Sequence, residues 1–237
     1  MAAPDASSTL TIGFVVLPVV VSAVIVYGVT VAGRRLEGPA DTQWRWTAGT
    51  AIGLTVWMAG SLALASSGWL ARFDLRPPPF LMVPAVGFPL AVALTWSRFG
   101  TRLIEGLPLA ALVGLQSFRF PLELLMHRAY VEGVMPVQMS YSGRNFDILA
   151  GLTAIPVAWA LHRGIGGRRL ALTWDIFGAV LLINIIAVAA AATPVIAAFG
   201  PDNLNTFVAY PPFVWLPAVL VLTAVTGHLL ITRALYN

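Results

Sequence analysis

The chain has 237 residues, of which 58% are hydrophobic and only 10% charged, with a formal net charge of +4. Soluble domains carry roughly a quarter of their residues as charges, so this balance excludes a soluble globular class and calls for helices that bury their surface in a bilayer. Cysteine and lysine are both absent, which removes disulfides, thiolate nucleophiles, cysteine-held metal clusters and the lysine Schiff base that a retinal chromophore needs.

Seven apolar blocks succeed one another: Leu10 to Ala32, Trp46 to Ser67, Phe80 to Trp96, Leu103 to about Met126, Asp147 to Leu161, Leu172 to Thr193 and Phe213 to Ile231. Most approach the roughly 20 residues that cross about 30 Å of hydrocarbon. The third and fifth are shorter, and the third carries Pro84 and Pro89, so a six-helix arrangement stays open. The predicted fold is all-α, a polytopic bundle of seven transmembrane helices that forms a single domain over 1–237. Pro77 to Pro79 and Pro211 to Pro212 stand where spans begin, a position in which the missing N–H costs nothing. Trp44, Trp46, Trp69, Trp96 and Trp215 fall near span ends, as interfacial anchors do.

The arginines set the orientation, because cytoplasmic loops retain positive charge during insertion. With the amino terminus outside, Arg34, Arg35, Arg45, Arg98, Arg102, Arg163, Arg168, Arg169 and Arg233 lie inside, nine of the fourteen basic residues. The expected topology therefore has an outside amino terminus and an inside carboxyl terminus. The opening MAAPDASSTL has no basic region, so the first block reads as an uncleaved span rather than a secretory signal. The same scatter of arginines over loops accounts for the basic character, and nucleic acid is not expected as a partner; the lipid bilayer is.

The remaining charges crowd into a polar segment, 119–147, expected on the outer face. Arg119, Glu123 and His127 recur at i, i+4 and would share a helical stripe, with Arg128 and Glu132 beyond them. At about 1.5 Å per residue from Glu105, Arg119 stands roughly 20 Å along and inside the hydrocarbon layer, where such charges face a protein interior. Alternatively Pro121 bends the chain and lays 122–132 along the outer surface among headgroups. After the loop from Gly133 to Gly143, Arg144 is expected near Glu123, Glu132 and Asp147 as an ion-pair network or a pocket of mixed charge. Asn145 and Asp147 suit the start of the next helix as cap and first acid, and equally a ligand site.

A metal is not assigned: Glu123, His127 and Asp147 or Glu132 are the right donors for iron or zinc, yet no paired-histidine spacing is present and nearby arginines would repel a dication. His162 and His228 near the inner span ends would permit a bis-histidine haem but fit helix-end residues better. Ser140 and Ser142 lie near His127 without the GxSxG elbow of serine hydrolases. Asn184 reads as an interhelical amide, Asp175 as a first-turn acid of its span, and Asp202, Asn203, Asn205 and Tyr210 as loop residues able to roof the polar segment.

The runs FRFPLELLMHRAYVEGVMPVQMSYSGRNFDILAGLTA, WDIFGAVLLINII and FVWLPAVLVLTAVTGHLL resemble a group of bacterial integral membrane proteins with no assigned function. The resemblance covers about the carboxyl-terminal half and implies a bacterial cytoplasmic membrane, with no activity or site residues to carry over. Three functions are consistent with the residues. The leading one is binding of a small amphiphilic or anionic ligand in an outward-facing pocket made by Arg119, Glu123, His127, Arg128, Glu132, Arg144, Asn145 and Asp147, as a transporter or receptor. The others are a membrane-embedded enzyme using Glu123 and His127 on a lipid-like or quinone-like substrate, and an accessory subunit whose charges dock a partner membrane subunit.

Overall fold

The computed structural model describes residues 4–36 and 40–237. Among the described residues every regular element is a helix, with turns and loops between and no strand. Among the described residues six helices are long and apolar enough to cross a membrane: Ser8–Arg35, Ala40–Ser66, Pro79–Trp96, Leu109–Val131, Gly167–Ala191 and Leu216–Tyr236. The chain is a multi-pass helical membrane protein.

Helix α1 (Ser8–Arg35) starts where the Ser7 hydroxyl accepts from the Leu10 amide, and it ends on Arg34 and Arg35, cations that suit the negative end of the helix dipole. α2 (Ala40–Ser66) packs along α1 and buries little else. A turn-rich stretch closed by the exposed Arg72–Asp74 ion pair leads to α3 (Met82–Trp96). Ser97 is then extended and its hydroxyl caps the short α4 (Arg98–Gly106), a strongly amphipathic helix that packs against α1, α3 and the last helix.

The block expected to run unbroken from Leu103 is interrupted. Leu107 is extended because it precedes Pro108, whose ring disfavours a helical residue before it. The span therefore begins at Leu109 with α5 (Leu109–Leu115), tightens into a 3₁₀ turn at Gln116–Phe118, and resumes as α6 (Arg119–Val131). α7 (Ile148–His162) has 15 residues, about 22 Å of rise, less than the hydrocarbon thickness. Of the seven spans expected, six are long helices among the described residues, and the fifth, already short in the sequence, is this shorter one. α8 (Gly167–Ala191) begins about a turn and a half earlier than expected, and Trp215 leads into a π-helical segment, Leu216–Val221, that opens α9 (Leu222–Tyr236).

The core forms where α9 packs against α3, α5 and α8, while α7 fits its small face, Ala150, Gly151 and Ala154, onto α5 and α6. Close approach depends on missing side chains. A Cβ at Gly151 would stand 2.1 Å from the Phe120 amide, and one at Gly227 would stand 2.0 Å from the Gln116 amide nitrogen. At one end of the bundle Glu132 accepts from the Ser7 amide (2.9 Å) and hydroxyl (2.7 Å), pinning α1 to the end of α6. At the other end the Arg233 guanidinium binds the Thr95 carbonyl and the Thr101 hydroxyl, tying α9 to α3 and α4. Trp215, expected as an interfacial anchor, is buried instead: its indole donates to the Met58 carbonyl, as Trp57 donates to the Ala218 carbonyl, and these two bonds join α2 to α9.

Candidate functional site

Arg119 stands midway along the 23-residue span Leu109–Val131 and is wholly buried, as is Glu123 one turn on. Of the two arrangements the sequence allows, the charges are inside the bundle. Pro121 lies in the first turn of α6, where a missing donor is tolerated, and the departure from α-geometry comes just before it in the 3₁₀ turn.

The guanidinium of Arg119 is held from three helices. Its Nε donates to Asp147 Oδ2 (2.6 Å), its Nη2 to Asp147 Oδ1 and to the Gly178 carbonyl (3.1 Å), and its Nη1 to His228 Nε2 (2.9 Å). A guanidinium only donates, so His228 Nε2 must accept and the ring proton sits on Nδ1, where Asp175 Oδ1 receives it at 2.7 Å. Thr232 gives its hydroxyl to the other Asp175 oxygen at 2.7 Å. Trp174 stacks on the His228 ring. Gly178 is required here, because a Cβ would come 2.7 Å from His228 Cε1 and 3.4 Å from Arg119 Nη1.

On its other side Asp147 continues the chain: its amide donates to Asn145 Oδ1 (3.0 Å), and Asn145 Nδ2 faces Glu123 Oε1 (2.8 Å), Glu123 Oε2 (2.7 Å) and the Met139 carbonyl (3.0 Å). One buried line of hydrogen bonds therefore runs from Asp175, which the exposed Thr232 caps, through His228, Arg119, Asp147 and Asn145 to Glu123.

Between α3, α6, α8 and the π-helical start of α9 lies a cavity of about 230 Å³. α3 and α8 each pack on α9 rather than extensively on one another, and the cavity occupies the gap. Its walls are apolar, with Phe80, Phe88, Leu182, Ile186 and Leu220 among them, apart from Arg119, Glu123 and Asp147 on one side and Thr193 and Asn205 on another. The π turn, which widens the helix, contributes Leu216, Pro217, Leu220 and Val221.

The polar wall is short of donors. An amide nitrogen carries two hydrogens, so Asn145 can give Glu123 at most what it does not give Met139, while the carboxyl group has about four acceptor positions. Asn205 donates to the Ala189 carbonyl (3.3 Å), and its Oδ1 is buried with no hydrogen-bond partner among the described residues. Arg119, by contrast, has its charge matched by Asp147.

Of the residues singled out from sequence, Arg119, Glu123, Asn145 and Asp147 come together. His127 turns elsewhere: its Nδ1 lies 3.1 Å from Ser140 Oγ and 3.2 Å from Ser142 Oγ, its ring stacks on Tyr141, and it does not line the cavity. Arg128 and Glu132 pair with each other near the Ser7 tether. Among the described residues Arg144 joins no carboxylate; its guanidinium lies over the Phe199 ring at 5.2 Å and its carbonyl accepts from Asn184. Asp147 leaves the cap position without a side-chain bond to α7 and spends its carboxylate on Arg119. Reading residues one helix at a time missed the role of His228, Asp175 and Gln116, although His228 and Thr232 show the i, i+4 spacing of a polar stripe in an apolar span. Both ring nitrogens of His228 are engaged, and among the described residues no group of three His, Asp or Glu side chains is placed to hold a metal.

No protein-family model matches the chain, and neither a curated protein nor a solved structure matches it.

Proposed function

We propose that this protein binds a small amphiphile whose head group donates hydrogen bonds and is neutral or cationic, with the apolar tail lying along the α3 and α8 walls of the cavity. The carrying observation is the surplus of buried acceptors, Glu123 and Asn205 Oδ1, in a cavity whose other polar wall groups, Arg119, Asp147 and Thr193, are already hydrogen-bonded. An anionic head fits poorly, because the cation it would seek is already paired with Asp147 and Glu123 stands beside it. This narrows the sequence-based expectation of an amphiphilic or anionic ligand. The Arg119 line joins the cavity wall to His228 on α9 and Asp175 on α8, a connection that suits a transporter or receptor. In this reading α7 makes a seventh crossing in a bacterial cytoplasmic membrane, with the amino terminus outside and nine arginines on the inner side.

The chain contains no cysteine, so single cysteines report cleanly. Octylamine is expected to slow maleimide labelling of Ile186→Cys, on the cavity wall, and to leave Val180→Cys, on the exposed face of α8, unchanged. Octanoate is expected to protect neither. Equal labelling of Ile186→Cys with and without octylamine would refute the proposal.

A further inference from the structure

α2 is the least buried of the six long helices, and it turns Gly49, Gly53 and Gly60 toward a groove bounded by α1, α3, α5 and α9. Beyond the helix's own backbone and the adjoining residues, no described atom lies within 4 Å of the place a Cβ would occupy on any of the three. Glycines in membrane helices ordinarily let two backbones approach. These three instead widen a space of about 1600 Å³.

The two ends of the groove differ in chemistry. Trp69 and Leu70 line one end, and the length between is apolar, with Val56, Leu90 and Leu222 on its walls. At the other end Arg35, Thr42 and Arg45 line it, with Trp46 beside them. The Arg102 guanidinium lies 4.9 Å from the Trp46 ring, and its Nη2 is buried without a partner among the described residues. No ion pair among the described residues involves any of these three arginines. Arg35 and Arg45, which have no ion-pair partner among the described residues, stand at the end of a long apolar groove and match a phosphate head on acyl chains, since guanidinium forks suit phosphate oxygens.

We propose that this groove is a binding site for an anionic phospholipid, with its phosphate and head group at Arg35 and Arg45 and its acyl chains along the glycine face of α2. The site is separate from the cavity at Glu123 and does not depend on the function assigned there.

The test is native mass spectrometry of the full chain released from nanodiscs of equal phosphatidylglycerol and phosphatidylcholine with identical acyl chains. The protein is expected to retain phosphatidylglycerol over phosphatidylcholine on the order of tenfold, the preference two interfacial arginines confer. Arg35→Gln with Arg45→Gln should bring that ratio close to one. Gly53→Phe, which fills the groove without touching its charges, should reduce retention of both lipids, and Glu123→Gln should leave the preference intact. Equal retention of the two lipids by the wild-type chain, retention of neither, or a second polypeptide held in place of lipid would each overturn the proposal.

Discussion

Two helix walls of this protein carry glycines to opposite effect. On α8 and α9, Gly178 and Gly227 admit polar side chains to within a few ångströms of backbone, and the surrounding helices close on a buried line of charge and amide. On α2, Gly49, Gly53 and Gly60 face open space, and the helix is joined to α9 through two indole bonds. Since apolar surface gains nothing by leaving lipid for another helix, packing in a bilayer is tight where polar groups require partners and loose where they do not. The first region is built for a fixed geometry. The second is built to accommodate.

The sharpest break in that contrast is at the central ion pair. Asp147→Asn or Arg119→Met leaves one charge buried without its partner and should cost about 3–5 kcal/mol in detergent unfolding; a near-neutral result would mean that the pair is wet. Next in size, Gly178→Ala forces a Cβ against His228 and should cost about 1–3 kcal/mol. Gly53→Ala meets nothing and should stabilise α2 by about 0.5–1 kcal/mol. Equal effects at the two glycines would erase the distinction between the walls.

A smaller effect is expected at the α1 tether. The hydrogen bond from Arg128, with those from the Ser7 amide and hydroxyl, holds the Glu132 carboxyl well below its ordinary value of 4.5, at about 2. The folded state therefore favours the ionised form. Its contribution is complete above pH 4.5 and is lost as the pH falls toward 2. Hydrogen exchange in the first turn of α1 should accelerate across that window, and Glu132→Gln should abolish the step. Smallest of all, Arg144→Ala removes a contact with Phe199 worth about 0.5–1 kcal/mol, readable as a slight fall in thermal stability.

Much of this was legible in residue order. The apolar blocks located the long helices to within about two turns at each end, and an arginine and a glutamate four apart in a span marked the polar wall. His127 was misplaced for a geometric reason: eight residues beyond Arg119, it has rotated about 80° around an α-helix and faces the loop instead of the core. Asp175 was read as a first-turn acid because the apolar block starts at Leu172, whereas α8 begins at Gly167 and carries Asp175 more than two turns inside. Its pairing with His228 bridges two helices more than fifty residues apart in sequence, and helical periodicity holds no information on such a contact. The cavity was illegible for the same cause, since its acceptors come from α6 and from the loop before α9.

Head-group chemistry decides what the cavity holds, and calorimetric titration of octylamine, octanol and octanoate into the protein in nanodiscs, beside Glu123→Gln, reads it. Saturable binding of the amine and the alcohol, little binding of octanoate, and a marked loss of amine binding in Glu123→Gln are the predicted results. Octanoate binding as tightly as octylamine, or amine binding untouched by Glu123→Gln, would contradict the account.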